Sequence, residues 1–366
     1  MLRALFIVYA VASSALLDDA TAADAETRAE HIVQLCAEHH RDAVGAAYPD
    51  AYHIRHLPSL RGLVVEATQA EVAALKSHEG VCNVARSHEV THRPDAGRRL
   101  DVDALRRNNE WWGKSHNQGK PWNLDRVNGK LDGNDAFEVS SKGTNVFVLD
   151  TGLDTLHQEF EGDREVENVG SYSNFHPGGV WEDKEEWDLT SENRAWLKDN
   201  NDSDGHGTHC ASTAAGKNYG IAPLANVYGM KVLPGGSEGV IVRALDRVYD
   251  LVKRKKVKGP TVVSMSLGGK CRDQDGNEGP GTKYCAFETH YARAIRDLRD
   301  IGVLTAIAAG NNGEDACEMA PGASRDAVTV GATNINDRIT FFSDYGNCVD
   351  VMAPGENVAG AASSRE

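Results

Sequence analysis

A histidine stands between two glycines in Asp204-Gly205-His206-Gly207-Thr208-His209-Cys210, where a polar loop runs into the small-residue stretch Ala211–Gly216, which reads as a helix start. A ring held open at such a junction is placed to act as a general base. Upstream, Thr144-Asn145-Val146-Phe147-Val148-Leu149-Asp150-Thr151-Gly152 reads as a buried strand ending in a carboxylate. Downstream, Ala306-Ile307-Ala308-Ala309-Gly310-Asn311-Asn312-Gly313 reads as another, ending in an amide. A base, a carboxylate to orient it and an amide to meet a developing oxyanion serve acyl transfer, which also needs a nucleophile. Each has a plainer reading. Asp150 alone is a turn cap, His206 a structural loop histidine, and Asn311 a turn asparagine in Gly-Asn-Asn-Gly.

Taken together, the three segments resemble the Asp, His and oxyanion-Asn motifs of subtilisin-like serine proteases. His-Gly-Thr-His-Cys is most similar to the proteinase K branch. The order Asp then His is that of the family's triad, and the resemblance runs from Pro121 to Glu366. It implies peptide-bond hydrolysis, with Asp150 orienting His206, His206 as base and Asn311 donating to the oxyanion. It also implies a substrate cleft at Ser266, Leu267, Gly268 and Gly269 and at Gly236, Ser237 and Gly239. Glycine there would let a peptide lie close as an added strand; two ordinary glycine turns are the plainer reading.

The family's nucleophile lies in a Gly-Thr-Ser-Met-Ala segment opening a long helix, and these 366 residues contain no such segment. Ser363 and Ser364 do not replace it. They follow Gly355–Gly360, which corresponds to a strand before the nucleophile helix, and no Met-Ala follows them. The chain therefore reads as incomplete at its C-terminus, inactive as written, and prone to expose the apolar surface that helix would cover. Two other readings stay open: a non-catalytic module that binds peptides or proteases, and an inhibitor module in residues 27–93.

A zinc centre at His206, His209 and Cys210 is disfavoured, because a zinc-protease helix reads His-Glu-x-x-His with its histidines one turn apart. No cofactor is required, but the resemblance allows structural calcium, and Asp350 matches a family ligand position. The acidic run from Asp199 to Asp204 reads as a solvated loop. His209 reads as a hydrogen-bonding neighbour. In the proteinase K branch the position of Cys210 is a free buried thiol beside the histidine, and Cys317 and Cys348 match a disulfide of relatives.

The elements that must position these groups are apolar runs at Asn145–Leu149, Asn226–Leu233, Thr261–Met265, Val303–Ala308 and Ala327–Val330, the pattern of strands buried on both faces. Helix-length stretches, Gly239–Lys253 and Glu288–Ile301, lie between them. The alternation predicts an α/β fold with a doubly wound parallel sheet. Ligands of such sheets collect at the C-terminal strand ends, where Asp150 and Asn311 fall. Residues 171–200, with Trp181–Trp187, read as an insertion decorating the surface.

Ahead of this domain, residues 1–22 read as a secretory signal, with Arg3 flanking an apolar run too short to span a bilayer comfortably. Residues 27–93 read as a small α+β unit. Strands are expected at His31–Leu35, within Leu60–Ala67 and along Val81–Val90, with a helix at Gln69–Lys76. The unit resembles the family's inhibitory propeptide, whose tail lies in the cleft, so the chain's own propeptide joins polypeptide substrates as an expected partner. Residues 94–120 read as a linker with basic pairs. Eight of the 14 histidines fall between His31 and His92, so acid could loosen this unit; a solvated surface is the plainer reading.

The net charge of −15 argues against nucleic acid and anionic membranes as partners. A monomer in the extracellular space or vacuolar lumen is expected. Seven cysteines then suggest disulfides. Cys36 could pair with Cys82 and Cys271 with Cys285, but the sequence fixes no pairing.

Overall fold

The computed structural model describes residues 28–37, 44, 52–57, 61–87, 89–90, 121–127, 141–172, 202–271 and 290–363. The expected signal segment, the linker, the Trp181–Trp187 run and Cys285 lie outside them. The chain divides into two compact units, Met1–Ser87 and His88–Glu366.

In the first unit, β1 (Ala29–Leu35), β2 (Tyr52–Leu57), β3 (Gly62–Ala67) and β4 (Val81–Arg86) form an antiparallel sheet in the order β2-β3-β1-β4. Helix α1 (Gln69–Ser77) starts at a capping box, Thr68 and Glu71 each satisfying the other's backbone N–H. It buries Val72 and Leu75 in a core with Val33, Leu35, Leu63, Val65 and Val84. Cys36 and Cys82 are bonded. The Val81–Val90 run divides: it leaves the sheet after Arg86 and resumes as β5 (Glu89–Val90) in the second unit.

His31 is buried in β1 at 4 % exposure, and its Nδ1 bonds the Ala29 carbonyl at 2.8 Å. Burial pushes its imidazole below the ordinary histidine value. The unfolded chain therefore takes up a proton at a higher pH than the folded one does. Stability is full above about pH 6.5 and falls as the pH drops from there towards the folded value. Protection of the β1 and β3 amides against hydrogen exchange in the full chain, taken relative to the intrinsic exchange rate at each pH, should fall between pH 7.5 and 5, and His31→Gln should flatten that dependence. An unchanged pH dependence in the variant would remove His31 from the account.

The second unit holds a seven-stranded parallel sheet: β6 (Asn145–Asp150), β7 (Val166–Ser171), β8 (Asn226–Lys231), β10 (Thr261–Met265), β12 (Val303–Ala308), β14 (Val328–Thr333) and β15 (Val351–Pro354). The order is β15-β14-β12-β10-β6-β8-β7. The short pieces α2 (Trp122–Val127), β9 (Gly236–Ser237), β11 (Gly269–Lys270) and β13 (Met319–Ala320) lie outside this sheet, β11 pairing with β13 and β9 with β5. β6 is buried at all six positions, as its apolar run implies. Residues 232 and 233 leave β8 because both amides turn onto the Asp150 carbonyl.

One face is covered by α4 (Glu238–Lys253) and α5 (His290–Asp300), which pack on each other, on β6 and on β12. On the other face, α3 (His206–Ala215) covers Val146, Val148 and Val227. Beyond α3 the expectation of strands buried on both faces fails. β10 and β12 alternate, leaving Val262 36 % and Leu304 58 % exposed. Val328 and Val351 continue this exposed apolar row.

Candidate active site

Asp150 is the last residue of β6 and is 1 % exposed. His206 is the first residue of α3, and the turn before it needs Gly205, whose φ of +94° favours glycine. This geometry brings His206 Nδ1 to 2.7 Å from Asp150 Oδ1, which also accepts the Thr151 amide at 2.7 Å. Close packing enforces the approach. A Cβ on Gly207 would lie 2.2 Å from the Gly152 carbonyl and 3.1 Å from Asp150 Cβ.

Asp202 is the residue that sequence reasoning missed. The acidic run reads as solvated, yet Asp202 is fully buried. Its Oδ1 accepts Thr151 Oγ1 at 2.8 Å and the Gly205 amide at 2.9 Å; its Oδ2 accepts the Thr208 hydroxyl at 2.6 Å and amide at 2.8 Å. One carboxylate thus ties the strand end after Asp150 to the helix start at His206. A buried charge is tolerated when its acceptor sites are filled in this way. A carboxylate four residues before the histidine, with Thr208 two residues after it, was the available clue.

Cys210 is a free thiol one turn along α3, 3.9 and 4.0 Å from the two His206 ring nitrogens. Burial opposes a charge on the His206 ring, but the Cys210 sulfur and the Asp150 carboxylate outweigh it and hold its pKa well above the ordinary value. Burial likewise pushes the thiol up, and the imidazole outweighs it and draws the thiol down. Cys210→Ser should therefore lower the pH at which His206 deprotonates. A ring-proton titration by NMR checks this; an unmoved midpoint would leave Asp150 as the sole cause. His209 turns away, its Nε2 bonding the Val358 carbonyl at 3.1 Å.

Asp150, His206 and Cys210 offer three ligand atoms within 4.8 Å of one another. They do not suit a metal ion. The Nδ1 of His206 is committed to Asp150, and the sulfur stands nearly equidistant from both ring nitrogens rather than along one lone pair.

Asn311 follows β12 at the same C-terminal sheet edge as Asp150. The residue is half-buried there. Gly236 and Ser237 form β9, and Glu89–Val90 lies antiparallel along them, Glu89 opposite Ser237 and Val90 opposite Gly236. Ser237 also caps α4, accepting the Val240 amide. The other cleft residues divide. Ser266 is half-buried after β10, Leu267 is buried at 3 % exposure, and Gly269 pairs with Ala320 of β13. A Cβ on Gly268 would reach the Ala320 carbonyl at 3.0 Å. Gly239 corrects the expectation: it lies buried in the first turn of α4, so its backbone serves the helix and offers no strand edge. Asp350 is exposed, and its Oδ2 accepts the Thr329 amide at 2.8 Å. Cys317 and Cys348 are bonded, and Cys271 is also in a disulfide.

Residues 141–366 match the Subtilase family. A cuticle-degrading protease of Metarhizium anisopliae is 31 % identical over 317 residues, 85 % of this chain and 64 % of that protein. Proteinase R of Parengyodontium album is 29 % identical over 65 % of this chain and 52 % of its own. An extracellular serine proteinase of a Thermus species is 31 % identical over 83 % of this chain and 60 % of its own. The chain thus spans between about half and two thirds of these relatives' length. The epidermin leader peptide processing serine protease of Staphylococcus aureus shares the fold, with a TM-score of 0.64 at 16 % identity over 90 % of this chain and 76 % of its own.

Proposed function

We propose, since this chain belongs to the subtilase family of serine peptidases, that its gene product is a secreted endopeptidase acting on polypeptides. The observation that carries this reading is the 2.7 Å contact between Asp150 and His206 at a sheet edge. Asp150 holds the ring and stabilises the imidazolium, His206 takes the nucleophile's proton and returns it to the leaving amine, and Asn311 donates to the oxyanion. The third member of the triad is a serine, and these 366 residues hold no Gly-Thr-Ser-Met-type segment to supply it.

Residues 27–93 act as the propeptide, and the tail strand Glu89–Val90 occupies the cleft edge at Gly236–Ser237, where substrate would pair. That pairing also favours a second reading, a peptide-binding module without catalysis. Two bonded cysteine pairs suit an oxidising compartment, and no helix among the described residues is long and apolar enough to cross a membrane. If calcium stabilises the fold, Asp350 supplies a carboxylate oxygen and backbone carbonyls the rest.

The test is made on the native product, isolated from its own cells. Fluorophosphonate should label a serine in a Gly-Thr-Ser-Met-type segment, while the recombinant 366-residue chain stays unlabelled. A native product ending at Glu366 without a labelled serine would overturn the hydrolase reading and leave peptide binding. Labelling of the 366-residue chain would overturn the reading that the nucleophile belongs to such a segment.

A further inference from the structure

Asp344 is fully buried beneath the loop that follows β12. Its Oδ1 accepts the amides of Asn312 at 2.8 Å and Glu314 at 3.0 Å, and its own amide donates to the Gly310 carbonyl at 3.0 Å. Its Oδ2 has no hydrogen-bond partner among the described residues and is pressed against Gly310, where a Cβ would come within 2.0 Å of it and where φ is +122°. Asp344 therefore holds the chain on both sides of Asn311, its carboxylate taking the amides after it and its own main-chain amide the carbonyl before it, and the close approach of Oδ2 requires glycine at 310.

We propose that Asp344 is the positioning residue of the Asn311 loop, fixing the amide through the backbone N–H groups of Asn312 and Glu314. The proposal rests on the oxyanion role given to Asn311 above. Burial raises the Asp344 carboxyl above its ordinary value, opposed by the two amides and the Asn312 side chain, and the Glu314 charge raises it further. The charged groups on adjoining segments are Glu314, which Lys270 of β11 holds at 2.8 Å, and Asp315, which caps the next turn. On acidification the proton goes to Oδ2. Oδ1 becomes a neutral acceptor, and its bonds to the loop lose about half their strength. The sign for the whole fold is opposite. A carboxyl that binds its proton more tightly when folded adds stability as the pH falls.

The experiment is a pH titration of the full ¹⁵N-labelled chain, followed at the Asn312 and Glu314 amides and the Asn311 side-chain amide. The wild type, Asp344→Asn and Asp344→Ala are compared. In the wild type the two backbone amides should move together, with one midpoint above the ordinary carboxylate range. Their loosening should come as global stability rises, a divergence that a purely structural residue would not give. D344N keeps the Oδ1 acceptor, so Asn311 should stay ordered without titrating. D344A should split or broaden the Asn311 signal while β12 and β14 keep their shifts. In the native product D344A should lower kcat by about a hundredfold with KM little changed, and D344N should restore most of it. Amides that ignore pH, or an Asn311 signal untouched in D344A, would overturn the proposal; if D344A does not fold, the wild-type and D344N titrations decide. A braced loop in a product that never labels with fluorophosphonate would overturn the hydrolase reading and leave the brace standing.

Discussion

Replacing Asp150 by asparagine is expected to weaken proton binding at His206 by roughly a hundred- to a thousandfold. That range follows from the ~3–5 kcal/mol associated with removing one partner of a buried ion pair, taken at its lower end because the His206 side chain is 24 % exposed. The ring's folded pKa lies above its unfolded one. The pair's contribution to stability is therefore full below about pH 6.5 and is lost as the pH rises through the folded value. D150N should reduce that dependence, leaving the part that Cys210 supplies, seen as a lower imidazole midpoint by NMR and a flatter unfolding profile against pH. In the native product, the same change should cost about 10⁴-fold in kcat, because an amide in place of the carboxylate holds the imidazole in the wrong tautomer. A His206 midpoint unchanged in D150N would mean that the 2.7 Å contact carries no charge interaction.

Asp202→Ala should be the most destabilising single change at the site. It strands the Thr208 amide and hydroxyl, the Thr151 hydroxyl and the Gly205 amide, all of which now bond this carboxylate. Each buried donor left without a partner costs about 1–3 kcal/mol, so even the low end sums to roughly 4 kcal/mol. Asn is no rescue. One of its two positions would present N–H groups to a donor, and both carboxylate oxygens here accept at least two donors. Thermal unfolding should show the loss, and hydrogen exchange should place the fastest opening at residues 205–210. A loss under about 1 kcal/mol would imply that water replaces the carboxylate.

The parallel sheet was legible because β6 and β8 carry unbroken apolar runs, and a strand buried on both faces has no polar position to spare. The runs at Thr261–Met265 and Val303–Ala308 look the same in sequence, yet Val262 and Leu304 stand exposed. An apolar residue records what a face tolerates, not what covers it. The short strands β9, β11 and β13 gave no periodic signal, since two residues cannot show a period. Gly239 was misplaced because a glycine-rich stretch does not reveal where Ser237 will cap a helix.

Residue type and local pattern were enough to establish the chemistry on offer: a carboxylate closing one strand, a histidine opening one helix and an amide after another strand. These are local facts, set by the glycines and apolar runs beside each group. That Asp202 and Asp344 are buried acceptors and not solvated acids emerged from the folded chain alone. The burial of a carboxylate depends on donors from distant segments, such as Thr151 for Asp202 and Asn312 for Asp344, and no local pattern states which donors will converge.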